Sequence, residues 1–155
     1  MLKVYTAAAM LSLTVFASAA NAGQIVHVGL IDASDVKGAN VTGGNMLKHE
    51  MMTVRSDVAE VKAGMIEFDA TNYSHAFPHE MIVLAVKDAA ATLPYNKGAS
   101  RVDEDKLSSM GEISEMGPGK SGTLTVNLPP GKYLLICNVA SHFMAGMSTP
   151  LTVVR

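Results

Sequence analysis

Apolar and polar residues alternate with a period of two along much of the chain after residue 23. In Gln24–Ile31, for example, valines and a leucine lie on one face and His27 lies on the other. This period is typical of strands that are buried on one face, whereas helical spacing is weak throughout. The pattern therefore predicts an all-β fold.

Further segments of this kind are separated by residues that favour turns. Strands are predicted within or at Met46–Arg55, Met65–Thr71, His79–Lys87, Thr123–Asn127, Lys132–Cys137 and Thr149–Val154. Polar residues predict loops at Asp32–Asn45 and Ser56–Gly64, and proline with glycine predicts a turn at Leu128–Gly131. The pattern thus indicates one sandwich or barrel of about seven or eight strands.

The longest interruption of the strand pattern is a polar excursion at about residues 88–121. It is rich in charged and small residues and has no sustained alternation. Within it, the acidic piece Val102–Met116 favours a short helix. The sequence thus predicts a long polar excursion between the strand that ends at Lys87 and the strand that begins at Thr123.

Residues 1–22 have the pattern of a secretory signal peptide. Lys3 gives a positive start, Ala7–Ala19 is apolar, and Ala20–Ala22 supplies the small residues of a cleavage site. The apolar run is short for a membrane span. We expect cleavage after this segment, export to the periplasm, and a single mature domain of residues 23–155 without a membrane span.

Charge and cysteine content narrow the possible partners. The formal net charge is −2, and the chain has no cluster of basic residues of the kind that binds nucleic acid. Cys137 is the only cysteine, which is unusual for an exported protein, where cysteines are usually paired or absent. A metal-bound thiolate would explain it, because coordination protects the sulfur. A buried inert thiol and an intermolecular disulfide are the alternatives.

Cys137 begins the segment that carries the chemistry. Four residues separate it from His142, and four more separate His142 from Met147. A thiolate, an imidazole and a thioether on one loop suit a mononuclear copper ion that needs one more histidine. Zinc is the second possibility, but its sites ordinarily use more thiolates or histidines without methionine. No catalytic constellation is evident, so we do not expect an enzyme.

The additional histidine is expected at a strand end. His79 begins an apolar strand and Cys137 ends another, so the two meet if both ends lie at one pole of a sandwich. His75 is the competitor, but it lies within a loop and would be held less rigidly. The predicted metal ligands are therefore His79, Cys137, His142 and Met147.

The methionine content raises the possibility of a second metal site. Met46, Met51 and Met52 lie close to His49, and thioethers with an imidazole suit Cu(I). The alternative is that these methionines fill gaps in the core. Alternation along residues 46–52 would place some of them inside and favours this second interpretation.

Several segments match a known family together with the ligand loop. They are Val61–Gly64, Asn72–Glu80, Arg101–Glu104, Gly111–Ile113 and Pro130–Tyr133. With them, the chain from about Gln24 to Val154 resembles the cupredoxins, the plastocyanin/azurin type of blue copper protein. It is most similar to the sulfocyanin- and rusticyanin-like branch, which shares the Cys-x4-His-x4-Met spacing.

The resemblance implies a Greek-key β-sandwich with one type 1 copper ion at one pole. It implies that His79, Cys137 and His142 are equatorial ligands and that Met147 is the axial ligand. The chain departs from the family at Glu80, because many members have asparagine after the first ligand histidine.

The resemblance also implies where partners would dock. The loop histidine, His142, would be exposed within an apolar patch formed by Phe143–Gly146 and Ala76–Pro78. A cytochrome or an oxidase would dock near His142 and Phe143, and the protein would act as a monomer.

Three functions are compatible with these features. The leading expectation is a one-electron carrier that cycles between Cu(I) and Cu(II). The additional methionines motivate an alternative, a copper-handling protein that binds, stores or delivers the ion in copper homeostasis. A structural domain that has lost its redox use is the third, and the intact ligand set counts against it.

Overall fold

The computed structural model describes residues 23–32, 52–88, 90 and 92–155. Eleven strands occur in these residues: β1 (Gln24–Asp32), β2 (Met52–Ser56), β3 (Glu60–Lys62), β4 (Gly64–Asn72), β5 (His79–Val86), β6 (Tyr95–Asn96), β7 (Arg101–Val102), β8 (Ser108–Met116), β9 (Ser121–Leu128), β10 (Gly131–Ile136) and β11 (Ser148–Val154). A single 3₁₀ turn, Glu104–Lys106, is the only helical segment among them. The predicted all-β fold is confirmed. Among the described residues, no helix has the length and apolar character needed to cross a bilayer.

The strands form two main sheets that pack into a sandwich. One sheet has the order β2-β1-β4-β9 and the other has the order β3-β11-β10-β5-β8. β1 pairs with β4 in parallel and β3 pairs with β11 in parallel, whereas the remaining pairs are antiparallel. Strands adjacent in the chain often lie in different sheets, as Greek-key connections require.

The main core lies between the two sheets. Alternate residues of each strand point inwards, so that Phe68, Ile66 and Leu135 are fully buried. Each such side chain contributes roughly 1.5–3 kcal/mol through the removal of apolar surface from water. Cys137 and Met147 belong to this same cluster. The ends of the predicted ligand loop are therefore anchored in the core.

A second apolar cluster covers the outer face of the five-stranded sheet. Ile82 and Leu84 of β5 and Ile136 of β10 point outwards and pack with Leu93 and Val102 of the excursion. β5 is therefore buried on both faces, which explains its continuous apolar run. This second cluster holds part of the excursion against the outer face of the sheet.

The structure corrects two predictions made from side-chain pattern. The short helix expected within Val102–Met116 is only the 3₁₀ turn Glu104–Lys106, because Ser108–Met116 is the edge strand β8 and pairs with β5. Only Ile113 and Met116 of β8 are buried, and its register with β5 shifts twice. The resulting pattern has no clear period of two. β3 likewise lies within the segment that was expected to be a loop.

The other predicted strands are confirmed, with ends that differ by at most two residues where the structure describes them. The turn before β10 is closed by Tyr133, whose hydroxyl donates to the Pro129 carbonyl at 2.8 Å. Met52 packs against the main core, as the gap-filling interpretation predicts. The predicted signal peptide and three residues of the predicted methionine cluster, Met46, His49 and Met51, lie outside the described residues.

Candidate metal centre

Three strand ends meet at one pole of the five-stranded sheet. β5 begins at His79, β10 ends directly before Cys137, and β11 begins directly after Met147. Because β5 and β10 are antiparallel neighbours, with Ile136 opposite Ile82, the start of one lies beside the end of the other. The predicted meeting of His79 with the ligand loop is confirmed.

The ligand atoms of three residues form a compact triangle. The Nδ1 atoms of His79 and His142 are 3.1 Å apart, and the Cys137 Sγ lies 3.7 Å from the first and 3.5 Å from the second. A circle through three atoms at these separations has a radius of about 2.0 Å, close to the ~2.0–2.3 Å of metal bonds to imidazole nitrogen and thiolate sulfur. The three atoms therefore fit one metal ion in their plane.

The triangle is enclosed by the protein. His79 and Cys137 are fully buried, and His142 is 7% exposed. Among the described residues, these three form the only group of histidines, cysteines and carboxylates whose ligand atoms converge in this way. His75 is exposed and is not part of it.

Met147 closes the ligand loop. Its amide donates to the His142 carbonyl, and its carbonyl accepts a hydrogen bond from the Cys137 amide, both at 3.1 Å. The Met147 side chain is fully buried in the same cluster as Cys137. The loop thus brings a thioether residue into hydrogen-bonded contact with two of the three residues of the triangle.

Buried polar side chains hold the segment that leads into His79. Asn72 donates from Nδ2 to the carbonyls of Phe77 and Met116, both at 2.9 Å. The Ser74 hydroxyl donates to the buried Asp32 carboxylate and accepts from the Phe77 amide at 2.8 Å. Asparagine and serine at a loop start are a sequence signal for such turns, but the distant partners Asp32 and Met116 are visible only in the structure.

Glu80 is unusual for a residue inside a sandwich. Its amide donates to the Cys137 Sγ at 3.5 Å. Its side chain is 8% exposed, and its Oε1 atom has no hydrogen-bond partner among the described residues. Burial, reinforced by the nearby Glu104 carboxylate, raises the pKa of Glu80 to about 7. The departure from asparagine therefore places a carboxyl group that is close to half-protonated at neutral pH beside the site.

Burial also sets the protonation of the ligand groups in the metal-free protein. It raises the pKa of the Cys137 thiol to about 11, against the smaller opposing effect of the Glu80 amide. It lowers the pKa of His142, so this imidazole is neutral at pH 7. A metal ion would therefore displace a proton from Cys137 but not from His142 on binding near neutral pH.

An apolar surface adjoins His142. The Phe77 ring packs edge-on against the His142 imidazole, with 6.3 Å between ring centroids. Phe77 is 46% exposed and Met144 is 67% exposed. His142 is more buried than the resemblance implied, since it is only 7% exposed and the Phe77 ring packs against it.

The chain matches one protein family over most of its length. The family described as copper binding proteins, plastocyanin/azurin family, matches residues 39–154. No curated protein sequence shows significant similarity to the chain.

Several solved structures share the fold. Auracyanin A from Chloroflexus aurantiacus, described as a "blue" copper protein, is 22% identical with a TM-score of 0.52, over 83% of this chain and 97% of that one. A reduced auracyanin from Roseiflexus castenholzii is 24% identical with a TM-score of 0.50, over 64% and 87%. Rusticyanin from Thiobacillus ferrooxidans is 16% identical with a TM-score of 0.53, over 84% and 78%.

The raised pKa of Glu80 predicts a pH-dependent loss of stability. Folding favours protonated Glu80, so the metal-free protein should lose stability as the pH rises from 4.5 to about 7. The loss is up to about 3 kcal/mol, and Glu80→Gln should avoid it because glutamine is uncharged. Urea unfolding of both metal-free proteins at about pH 5 and pH 8 measures the effect.

Glu60→Gln is the matched control, since Glu60 is an exposed carboxylate on β3 and is not among the charges that shift the pKa of Glu80. It should leave the pH dependence unchanged. A stability difference between Glu80→Gln and wild type that is equal at both pH values would contradict the prediction.

Proposed function

Because the chain belongs to the plastocyanin/azurin family of copper-binding proteins, we propose that it is an electron carrier that cycles one copper ion between Cu(I) and Cu(II). The observation that carries this proposal is the buried triangle of His79 Nδ1, His142 Nδ1 and Cys137 Sγ. Two imidazoles and a thiolate near one plane, with a weak thioether, suit both oxidation states of copper.

In this proposal His79, Cys137 and His142 would be the three main ligands of the copper ion, and Met147 would be its weaker fourth ligand. The bound ion supplies the one-electron couple. The residues hold nearly the same positions in both states, because His79 and Cys137 are fixed by two paired strands and Met147 is tied to the loop backbone. Little rearrangement is then needed when the electron moves.

The apolar surface around Phe77 and Met144 is the proposed place where electrons enter and leave. His142 is the ligand nearest this surface, through its edge contact with Phe77. A redox partner such as a cytochrome or an oxidase would make a small and weak contact there. The protein would act as a monomer and would catalyse no reaction of its own.

The structural relatives support copper rather than zinc as the ion. Auracyanin A is described as a blue copper protein and rusticyanin as a copper protein. Zinc sites ordinarily use more thiolates, or histidines without a methionine.

Copper binding should reveal the ligands. Cu(II) added to the protein should give an intense blue or green thiolate-to-copper absorption band, and Cys137→Ser should abolish the band. His79→Ala should weaken copper binding by more than about 100-fold, beyond the roughly 10–100-fold typical for residues outside the ligand set. Absorption titration with a competing chelator measures both.

His75→Ala is the matched control, because His75 lies four residues from His79 and is exposed. It should keep the band and the affinity. A colourless complex, or loss of the band in His75→Ala with its retention in His79→Ala, would overturn the ligand assignment.

Rapid electron exchange should distinguish a carrier from a copper-delivery protein. The copper-loaded protein should accept an electron from, and return it to, a c-type cytochrome while the copper stays bound. Rapid mixing of the two proteins, with the absorption of each followed over time, measures this exchange. Copper delivery would instead transfer Cu(I) to an acceptor protein and would depend on Met51 and Met52. Transfer of the ion without electron exchange would contradict the proposed function.

We also propose that the protein works in the periplasm. The positive start, apolar run and small residues of residues 1–22 support export with cleavage. The protein recovered from a periplasmic fraction should begin at Gly23. Recovery only from the cytoplasm with an intact N-terminus would contradict this location.

A further inference from the structure

Asn138 follows the Cys137 thiol directly and is 1% exposed. Its amide faces the backbone of Val102 in the excursion. The Val102 amide donates to Asn138 Oδ1 at 2.7 Å, and Asn138 Nδ2 donates to the Val102 carbonyl at 3.0 Å and to Glu104 Oε1 at 2.6 Å. Both the carbonyl oxygen and the amino group of the Asn138 side chain thus form hydrogen bonds to one segment, Ser100–Glu104.

A backbone hydrogen bond fastens the other end of the same stretch. The Ser141 amide donates to the Ser100 carbonyl at 2.7 Å. Ser100 has a φ of 52° and Ser141 a φ of 70°, and they are the only non-glycine residues with positive φ in the described part of the chain. Serine rarely adopts this conformation unless the surroundings impose it. The two unusual residues are bonded directly to each other.

These hydrogen bonds are made at both ends of the stretch that joins two proposed ligands, Cys137 and His142. Asn138 is one residue after Cys137, and Ser141 is one residue before His142. Both ends of the intervening stretch are therefore tied to Ser100–Glu104, which lies outside the two main sheets. That segment is itself fixed, because Val102 is buried in the second cluster and the Asp103 backbone amide donates to the Pro94 carbonyl at 2.8 Å.

We propose that Asn138 is a positioning residue of the metal centre, which with the Ser141–Ser100 bond clasps the Cys137–His142 stretch to Ser100–Glu104 and so fixes the separation of the two ligand atoms. The proposal rests on the proposed copper site. It gives Ser100–Glu104 a function, since this segment lies outside the two main sheets and anchors the chain between Cys137 and His142.

The clasp fits the geometry of the site. Cys137 Sγ and His142 Nδ1 are 3.5 Å apart, and the two residues are joined by a loop of successive turns. The conformation of this loop therefore sets the distance. A loop fixed only at Cys137 and Met147 could open when the ion is absent. Bonds at Asn138 and Ser141 restrain it in between, so the ligand atoms stay close in the metal-free protein.

Hydrogen exchange in the metal-free protein gives the first test. Asn138→Ala removes the partner of the Val102 amide but leaves Ser100 and Ser141 unchanged. If the bonds act together as a clasp, the Ser141 amide should also exchange faster, by about tenfold or more, which corresponds to the loss of roughly one hydrogen bond. Unchanged exchange at Ser141 would overturn the clasp.

Copper affinity and the absorption and electron paramagnetic resonance spectra of the Cu(II) protein give the second test. Asn138→Ala should lower the affinity by roughly 10–100-fold, as removal of a partner outside the ligand set commonly does, and should alter both spectra. Asn96→Ala is the matched control, because Asn96 also holds a turn of the excursion through its side chain, by accepting from the Gly98 amide at 2.9 Å. It should keep the affinity within about twofold and the spectra unchanged.

An exchange of donor and acceptor tests the specific contact. Asn138→Asp places a carboxylate against Glu104 and should weaken copper binding. In the double variant Asn138→Asp/Glu104→Gln, the amide at 104 can donate to the carboxylate at 138, so part of the affinity and the spectra should return. If Asn138→Ala does not fold, this pair decides the matter, and absence of any recovery in the double variant would contradict the clasp.

The two proposals can fail separately. A wild-type protein that binds copper but exchanges no electrons contradicts the carrier function, while the spectra of the variants still test the clasp. A wild-type protein that binds no copper contradicts the site, and amide exchange at Ser141 still decides whether the clasp exists. Wild-type affinity and spectra in Asn138→Ala would overturn the clasp alone.

Discussion

The main constraint on this structure is the burial of two imidazoles and a thiol close together inside an apolar core. His79, Cys137 and His142 are buried, and their ligand atoms lie only 3.1 to 3.7 Å apart. Groups of this kind are costly to bury unless they find partners, and a metal ion is the one partner that all three can share. The antiparallel pairing of β5 with β10 brings two of them to the same pole, so the sandwich itself creates the site.

Two separate sets of bonds support the triangle from opposite sides. On the His79 side, Asn72 and Ser74 hold the preceding turn through buried contacts to Asp32 and to backbone carbonyls. On the Cys137–His142 side, Asn138 ties the loop to the excursion. Each set draws on a part of the chain distant from the ligands. Sites held by outer residues of this kind keep their geometry better than sites on unsupported loops.

Enclosure of the site has electrostatic consequences. The same burial that brings the ligands together raises the pKa of Cys137 and of Glu80 and lowers that of His142. All three shifts favour neutral groups over charged ones, as desolvation requires. In the metal-free protein the Cys137 thiol and the His142 imidazole are therefore held in their neutral forms, beside a buried Glu80 whose Oε1 atom has no partner among the described residues. Such a compromise between stability and function is common where a site is built into a core.

The sequence by itself determined the strands with a clear alternation and singled out the loop that carries the proposed ligands. Both signals are local: a period of two decides which face of a strand is buried, and the spacing of Cys137, His142 and Met147 decides which groups share a loop. Even His79 followed from the placement of strand ends. Tertiary structure alone decided the strand β8, the burial of His142 and the contact of Asn138 with Val102. Each depends on a partner far away in the chain. An edge strand such as β8 forms only beside the strand it pairs with, and the side-chain amide of Asn138 is satisfied only by the distant backbone of Val102.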